Sequence, residues 1–389
     1  MGRRERLTRE ALGWTFSGGI ALRHLRNHPR RVIGHLPLAA EIPPCVGTPG
    51  RLLVRARLVR EADPAHLDTP RAWTAMIRET AAHRTVQVAL WNAGGDLIHT
   101  SPELETDGAG MLEHLADAPG DTATVGLLAS GTALPHHATV RLLPMDAPLL
   151  VTIADVDRTF IGSRIHGAGD LVRLMWEPGG DRPWLEGTAA LAAGWRARSY
   201  AATPRAWIFL TGSPWFFLGN LADASRGAGL VLDGLFPRPG PIPDGVPAWH
   251  PEHIRRTFRN LGQQAGYKLS TCLRFASTLP RGARLVLLGD DAESDGLAYT
   301  ALERWLDRSW SENQVLGRVL DRAGAMWRPA LKAALEETRD LEGRSVAFIG
   351  IRRTGRAHHP EDIEELPPTA VVHDTTAELE SAMKQRGIW

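Results

Sequence analysis

Four short apolar runs constrain the fold of this chain more than any other feature of its sequence. The runs are residues 149–154, 206–210, 284–288 and 345–351. The segments between them that have a helical pattern are residues 184–198, 216–226, 251–277 and about 298–340. A strand that is apolar along its whole length is typical of a parallel sheet that helices cover on both faces. The alternation of strands and helices therefore predicts an α/β domain with a mostly parallel sheet.

The region before these runs has a different pattern. Residues 51–60 alternate, with Val54, Ala56 and Leu58 on one face and Arg55 and Arg57 on the other. Further short strands are expected at residues 85–91, 122–129 and 139–143, with turns at 92–96 and 107–110. Short strands that are separated by turns predict a β-sandwich-like domain.

These patterns divide the chain of 389 residues into three parts. We expect a basic helical segment at 1–31, a β-sandwich-like domain at 32–148, and an α/β domain at 149–389 with a helical insertion at about 305–342. Residues 1–31 contain eight arginines and two glutamates. This segment fits either a helix that contacts anionic membrane lipid or an ordinary solvated, arginine-rich helix.

Composition excludes several classes of protein. The formal net charge is only +1, so the chain as a whole gives no electrostatic argument for a nucleic-acid partner. The two cysteines, Cys45 and Cys272, lie far apart, which excludes a disulfide framework and a cysteine-based zinc site. No apolar stretch reaches the eighteen residues or so that a transmembrane helix needs. The expected location is the cytoplasm, with peripheral contact to a membrane left open.

Polar residues follow three of the apolar runs, at the point where each predicted strand ends. They are Asp155, Asp157 and Thr159 after the first run, Thr211, Gly212 and Ser213 after the second, and Asp290 and Asp295 after the third. Lys268 lies on the predicted helix before the third run. Because ligands of open α/β sheets bind at the carboxyl ends of the strands, these side chains are predicted to form one site.

The acids at these positions fit phosphoryl transfer. Asp155 and Asp157 are two residues apart, so in an extended segment their side chains point the same way, and a divalent cation would relieve their repulsion. Asp155 is expected to attack phosphorus and form an aspartyl-phosphate, while Asp157 acts first as general acid and then as general base. The residues that we expect to hold Mg²⁺ are Asp155, Asp157, Asp290 and Asp295.

The other candidates would contact the phosphate group. We assign substrate binding to Thr159, Thr211, Gly212 and Ser213. The Thr211 hydroxyl can donate a hydrogen bond to a phosphoryl oxygen, and Lys268 can neutralise charge on the transferring group, so both are also assigned to catalysis. Lysine and arginine together number 45, and only Lys268, Lys332 and Lys384 are lysines. In a chain that uses arginine for almost every cation, a lysine on an apolar-flanked helix invites a chemical explanation.

Each assignment has a structural alternative. Asp155 and Asp157 fit the caps of a turn, Thr211 and Ser213 fit helix N-caps, Lys268 fits a surface lysine, and Asp295 fits a structural turn as well as a metal site. The remaining acids of the third strand end, Asp291 and Glu293, are interpreted as solvated loop residues.

The order of these elements resembles the haloacid dehalogenase (HAD) phosphohydrolases. That superfamily has D-x-D-x-T, a strand-end Thr or Ser, a Lys, and then a strand-end G-D-x-x-x-D or a similar motif. The matching elements here are residues 155–159, Thr211, Lys268 and residues 289–295. Residues 211–215 and 288–295, with the later Tyr299, are similar to the actin-patch-associated phosphatidate phosphatase catalytic family, and residues 46–58 are similar to the N-terminal β domain of its bacterial members.

The sequence also departs from that family. Arg158 stands where the family has an Asp, and Asp291-Ala292-Glu293 replaces S-G-Q. The family's G-P-L-x-L-R-D stretch is absent between Leu232 and Tyr267. The phosphoryl-transfer residues survive these changes, whereas the assignment of a lipid substrate depends on the resemblance alone.

The resemblance implies a HAD-like Rossmannoid sheet and a magnesium-dependent phosphatase of lipid metabolism. The implied reaction converts phosphatidate to diacylglycerol through an aspartyl-phosphate, so the implied partner is a phosphomonoester of a phospholipid. Two alternatives stay open. One is a phosphatase of a soluble sugar or nucleotide phosphate. The other is a phospholipid-binding protein without turnover, against which the complete set of catalytic residue types argues.

Overall fold

The computed structural model describes residues 37–61, 78–162, 177–198, 203–239, 264–323, 327–355 and 361–389. These residues form a mixed α/β structure with a mixed sheet in the N-terminal part and a parallel sheet in the rest. The basic segment predicted at 1–31 lies outside the described residues. None of the described helices is long and apolar enough to cross a membrane.

The N-terminal part contains eleven short strands among its described residues. They are β1 (Leu38–Glu41), β2 (Cys45–Thr48), β3 (Arg51–Arg60), β4 (Glu79–Thr80), β5 (Thr85–Asn92), β6 (Leu97–Thr100), β7 (Leu104–Glu105), β8 (Met111–Ala116), β9 (Thr122–Ala129), β10 (Thr132–Ala133) and β11 (Ala138–Leu142). The strands that the alternating pattern predicted are confirmed. The turns at 92–96 and 107–110 are also present.

These strands belong to one hydrogen-bonded sheet, in which β2 and β11 pair in parallel. Val54, Ala56 and Leu58 of β3 share one buried core with Val88 of β5 and Val125 of β9, although β3 does not pair with either strand. The predicted sandwich is therefore a single mixed sheet whose two halves pack on a common core. The β2–β11 pair joins the halves, and no local sequence signal indicates a pairing between strands so far apart.

The second face of β3 is buried, whereas the polar face of an alternating strand is usually exposed to solvent. Arg55 and Arg57 are only 4% and 3% exposed, so the face that carries the arginines is buried as well as the apolar face. Arg57 pairs with buried Glu41 at 3.3 Å, whereas Arg55 contacts the α/β part of the molecule. The alternation of apolar and polar residues identified the strand correctly, because a period of two follows from the geometry of an extended backbone. The alternation did not reveal that packing partners cover both faces of the strand.

The second sheet has six strands within the described part of the chain, all parallel. They are β12 (Leu150–Ala154), β13 (Arg205–Pro214), β14 (Gly234–Arg238), β15 (Arg284–Asp290), β16 (Ser345–Arg352) and β17 (Ala370–His373), in the order β14-β13-β12-β15-β16-β17. The four predicted runs form its four central strands. The two edge strands, β14 and β17, are short and were not predicted from the sequence.

Helices cover both faces of this sheet, which explains why its central strands are apolar throughout. The helices are α1 (Thr188–Ala197), α2 (Leu218–Gly227), α3 (Ala265–Ser277), α4 (Asp295–Leu306), α5 (Glu312–Ala323), α6 (Arg328–Glu337), α7 (Glu361–Glu364) and α8 (Thr376–Gln385). Residues of α1, α2 and α8 contribute to the core on one face, and residues of α3 to α6 contribute to the core on the other.

The helical insertion expected at about 305–342 consists mainly of α5 and α6. Val315, Val319, Leu331 and Leu335 of these helices lie in the same core as α3, so this segment extends one helical layer of the domain. Val46 and Leu53 of the N-terminal sheet lie in that core too. The two parts of the molecule therefore meet around α3, the helix that carries Lys268.

Candidate active site

Three aspartates and a lysine meet at the carboxyl edge of the parallel sheet. Asp155 directly follows β12, Asp290 ends the neighbouring strand β15, and Asp295 begins α4. Asp155, Asp290 and Asp295 are fully buried, and they offer carboxylate oxygens that lie within 4.8 Å of one another. Lys268 reaches the same place from the first turn of α3. Of the predicted site residues, the structure brings Asp155, Asp290, Asp295 and Lys268 together at this edge.

A glycine allows the acids to approach so closely. A Cβ atom at Gly289 would lie 2.5 Å from the Asp295 side chain, well inside the contact distance of real carbon atoms. The Asp295 carboxylate can therefore fold back and accept a hydrogen bond from the Asp290 backbone N–H at 3.1 Å. Asp295 thus supports the turn and also belongs to the acidic cluster. Both roles considered for Asp295 from the sequence, a structural turn and a metal site, are therefore compatible.

Lys268 is the cation of this cluster. Its Nζ donates to Asp155 Oδ1 at 2.9 Å and to Glu293 Oε2 at 3.0 Å, and it also donates to Asp295 Oδ1. Burial alone would lower the pKa of Lys268, but the carboxylates of Asp155, Asp295 and Glu293 outweigh burial and raise it well above the usual value. The surface interpretation of Lys268 is therefore wrong, and the ammonium stays charged.

The Lys268 ammonium alone does not balance the acids around it, although Arg352 and Arg238 also bring positive charge to Asp290 and Glu293. Burial raises the pKa of Asp155, Asp290 and Asp295, and although Lys268 lowers these pKa values, repulsion among the neighbouring carboxylates raises them further. Asp290 Oδ1 accepts backbone hydrogen bonds from Ala292 and Glu293, at 2.8 and 3.0 Å. Its Oδ2 is buried and has no hydrogen-bond partner among the described residues.

Surplus negative charge and an unsatisfied carboxylate oxygen fit a bound cation. Buried polar atoms are seldom left without a partner, so a ligand at Asp290 Oδ2 would satisfy this oxygen. Asp155, Asp290 and Asp295 offer only oxygen ligands, which suit hard cations such as magnesium, calcium or manganese. The donor set thus fits a divalent metal without distinguishing among these ions.

Asp157 has partners of its own. Its Oδ1 accepts a hydrogen bond from Arg182 at 2.9 Å, and its Oδ2 accepts one from Ser213 Oγ at 2.6 Å and a longer one from Thr211 Oγ1 at 3.4 Å. The expectation that Asp155 and Asp157 point the same way is not met, because the two carboxylates bind different cations. The four acids predicted as metal ligands separate accordingly, and Asp157 is not in the group of three.

A tight turn after β12 explains this separation. The backbone N–H groups of Phe160 and Ile161 both bond to the carbonyl of Val156, and Arg158 adopts a φ of +65°. A non-glycine residue in this left-handed region carries some strain and is common near functional sites. Because β12 ends at Ala154, before either aspartate, the period of two that applies within a strand does not fix the direction of their side chains.

Four other predicted positions have clear surroundings. Thr159 Oγ1 donates to Asp155 Oδ2 at 3.4 Å. Thr211 and Ser213 lie within β13, and Ser213 N donates to Thr211 Oγ1 at 3.0 Å. Neither caps a helix, because the residues at the cap positions are Pro214 and Phe217. Gly212 packs so closely on the Gln264 side chain that a Cβ would lie 1.6 Å from it.

Sequence reasoning missed several contributors to this site. Asp291 and Glu293 are not solvated, since Asp291 accepts a hydrogen bond from Thr354 N at 2.8 Å and Glu293 binds Lys268. Arg182, the partner of Asp157, lies next to Asp181 and Pro183 in a stretch without a recognisable motif. The run of acids at 290–295 was the available signal that these residues are not solvated, because several neighbouring acids are expected to have a cation near them.

Comparison with known proteins adds little to this geometry. No protein-family model matches the chain, and no curated protein matches it. Among solved structures, a β-glucuronidase of Parabacteroides merdae, crystallised with glycerol in its active site, aligns with 82% of this chain at 9% sequence identity and a TM-score of 0.24. The chain spans 34% of the length of that enzyme. A TM-score this low carries no argument, so membership of the HAD superfamily stays a prediction.

Proposed function

We propose that this protein is a magnesium-dependent phosphatase that cleaves a phosphomonoester through an aspartyl-phosphate on Asp155. The observation that carries the proposal is the contact of Lys268 Nζ with Asp155 Oδ1, at 2.9 Å, beside the aspartate triad. The buried Lys268 contacts the buried Asp155 beside Asp290 and Asp295. This arrangement suits a carboxylate nucleophile that attacks a negatively charged group.

Asp155 is the nucleophile in this proposal. Lys268 and Thr159 hold its two oxygens, which fixes the carboxylate for attack along one direction. One oxygen of Asp155 bonds to phosphorus as the bond from phosphorus to the ester oxygen breaks. Asp157 gives a proton to the departing alkoxide, and it later takes a proton from the water that hydrolyses the acyl phosphate. The second half-reaction releases inorganic phosphate and restores both carboxyl groups.

The metal would be held by Asp155, Asp290 and Asp295. Bound there, magnesium would supply positive charge that favours the ionised form of these acids and neutralises the phosphate. The side chains of Thr159, Thr211 and Ser213, with the backbone of Gly212, lie at the same edge and would bind phosphoryl oxygens. Arg182 would keep Asp157 at the leaving-group side of the site.

The test of this proposal is hydrolysis of an aryl phosphate by the purified chain. We expect phosphate release that EDTA stops and magnesium restores. Asp155→Asn should lower the rate by about 10³-fold or more, because an amide neither attacks phosphorus nor binds the metal as well. Asp321→Asn, the same change at an exposed position of α5, should leave the rate unaltered. An Asp155→Asn protein that is folded and keeps more than about a tenth of the wild-type rate would exclude Asp155 as nucleophile.

The substrate class needs a separate measurement. We propose phosphatidate as the substrate, and this part rests on the sequence resemblance alone. Wild-type protein should release more phosphate from phosphatidate vesicles than from sugar or nucleotide phosphates at equal phosphate concentration. The reverse preference would indicate a soluble phosphomonoester. Vesicle binding without release from any of these compounds, in magnesium, would indicate a phospholipid-binding protein and overturn the catalytic proposal.

A further inference from the structure

Arg55 links the N-terminal sheet to the helix that carries the site lysine. It projects from β3, and it is buried although it bears a charge. Its Nε bonds to Glu113 of β8, its Nη2 donates to Thr271 Oγ1 at 3.0 Å, and its Nη1 donates to Tyr267 OH at 3.4 Å. The guanidinium also lies 5.2 Å from the centre of the Phe236 ring. A planar cation with several donors is suited to making these four contacts at the same time.

The two helical partners of Arg55 flank Lys268. Tyr267 directly precedes it, and Thr271 lies four residues after Tyr267, so both occupy one face of α3 one turn apart. Arg55 therefore bonds to both ends of the helical turn from which the lysine projects. Tyr267 OH in turn donates to the Phe236 carbonyl in β14 at 2.8 Å, which ties this turn to the parallel sheet.

The N-terminal sheet also holds the far end of the same helix. Arg51 Nη1 donates to the carbonyl of Ser277 at 3.0 Å, and Thr48 Oγ1 donates to the carbonyl of Thr278 at 2.6 Å. Arg51 and Arg55 lie four residues apart on β3, and they bond to α3 at well-separated places along its length. The strand thus fixes both the position of the helix along its axis and its rotation.

The position of this helix matters because Lys268 donates hydrogen bonds to three carboxylates at once. Its bonds to Asp155 and Glu293 measure 2.9 and 3.0 Å, so a displacement of about 1 Å would take the ammonium out of hydrogen-bond range of at least one of them. A misplacement of that size can cost about 10² in rate when the group takes part in the reaction.

We propose that Arg55 is a positioning residue for Lys268, and that the N-terminal sheet is a scaffold for the catalytic helix. The catalytic consequence rests on the function proposed above. The positional claim does not, because it concerns where the ammonium lies in the folded protein.

The small number of lysines makes the positional claim directly measurable. The chain of 389 residues, labelled with ¹⁵N-lysine, contains three side-chain ammonium groups, and those of Lys332 and Lys384 are exposed. We expect one slowly exchanging ammonium signal, which disappears in Lys268→Arg. In Arg55→Met this signal should shift or be lost to exchange with water. In Arg84→Met, the same change at an exposed position before β5, it should stay as in the wild type.

Kinetics tests whether the displacement matters for the reaction. On an aryl phosphate, Arg55→Met should lower kcat by about tenfold to a hundredfold with little change in KM, whereas the exposed control Arg84→Met should change neither. Combined with Lys268→Ala, Arg55→Met should cause no further loss of kcat, because it acts through the lysine. Independent, multiplying losses in this double-mutant cycle would overturn the inference.

The outcomes separate this inference from the proposed function. An unaltered Lys268 signal in folded Arg55→Met would overturn the positioning role, whatever the activity. Full activity in Lys268→Ala would overturn the proposed function, while the ammonium signal would still decide the positional claim. If Arg55→Met does not fold, Thr271→Val removes one of its two acceptors on α3 and should produce the same shift in smaller measure. A folded Thr271→Val without any shift would contradict the inference.

Discussion

Two clusters of buried charge in this molecule differ in their balance. In the N-terminal sheet, Glu41 binds Arg57 at 3.3 Å and also binds Arg78, which in turn lies 3.4 Å from Glu61. All four side chains are at most 4% exposed, and among the described residues two carboxylates match two guanidinium groups. At the carboxyl edge of the parallel sheet, Asp155, Asp290, Asp295 and the partly buried Glu293 lie around the ammonium of Lys268. The positive charges of Arg352 and Arg238 also act on Asp290 and Glu293, so among the described residues four acids face three cations.

This difference in charge balance indicates different roles for the two clusters. Buried charges are tolerated when they are paired, and removing one partner is costly because it leaves the other charge without compensation. The balanced cluster in the N-terminal sheet therefore has a structural explanation that needs no ligand. The unbalanced cluster costs stability as long as its acids are ionised, which is the arrangement expected of a site that binds a cation and reacts with an anion.

Glu41→Gln should show the largest effect on stability and none on chemistry. The change removes a buried carboxylate that two guanidinium groups share, so we expect a loss of about 3–5 kcal/mol in the free energy of unfolding. Urea denaturation would measure this loss, and the proposed phosphatase activity per folded molecule should be unchanged. Glu105→Gln, where the carboxylate is 66% exposed and pairs with His83, is the matched control and should be nearly neutral. Equal stability of the two variants would remove the distinction between the clusters.

Lys268→Arg should damage the reaction almost as much as Lys268→Ala. A guanidinium keeps the charge, but it is larger and planar, so it would press on the space that the triad needs for the metal or the phosphate. We expect a rate loss of about 10²–10³-fold, equivalent to about 3–4 kcal/mol of transition-state stabilisation. Steady-state kinetics on both variants would measure it, with exposed Lys332→Arg as the control. Wild-type rates in Lys268→Arg would mean that the cluster needs only a positive charge.

The sequence predicted the centre of the fold and of the site better than their edges. Four buried strands were identified because continuous burial leaves an apolar run, as in 284–288, and the acids were identified because they interrupt such runs. The edge strands β14 and β17 are short, and β14 contains Pro237, so neither has a strong local pattern. Local patterns also carry no information on pairing, which is why the β2–β11 link was missed.

Side-chain partners were the least predictable part of the site. Arg55 and Arg57 had the pattern of a polar face, and only the packing of α3 and Glu41 against β3 shows that the face is buried. Arg182 lies 25 residues from Asp157 and has no motif that would connect the two. Such contacts depend on the tertiary arrangement of segments, and a single sequence does not encode that arrangement in any local period.

Asp290→Asn should give the smallest effect in free energy, and it tests directly whether the acidic cluster is unbalanced. A buried acid whose pKa is raised binds protons more tightly when folded than when unfolded, so its ionisation opposes folding at neutral pH. Without metal, Asp290→Asn should therefore be at least as stable as the wild type. Its amide oxygen can still accept from the N–H groups of Ala292 and Glu293, which bond to Oδ1 at 2.8 and 3.0 Å.

With magnesium the order should reverse. A ligand at a hundred times its Kd stabilises the folded state by about 2.7 kcal/mol, so the wild type should gain Tm as magnesium is added while Asp290→Asn gains little. Thermal unfolding of both proteins in EDTA and across a magnesium series would measure this, and Asp321→Asn should behave as the wild type. Suppose instead that Asp290→Asn is several kcal/mol less stable in EDTA. The triad would then be a structural cluster like that of Glu41, and the argument that its surplus charge awaits a cation would fail.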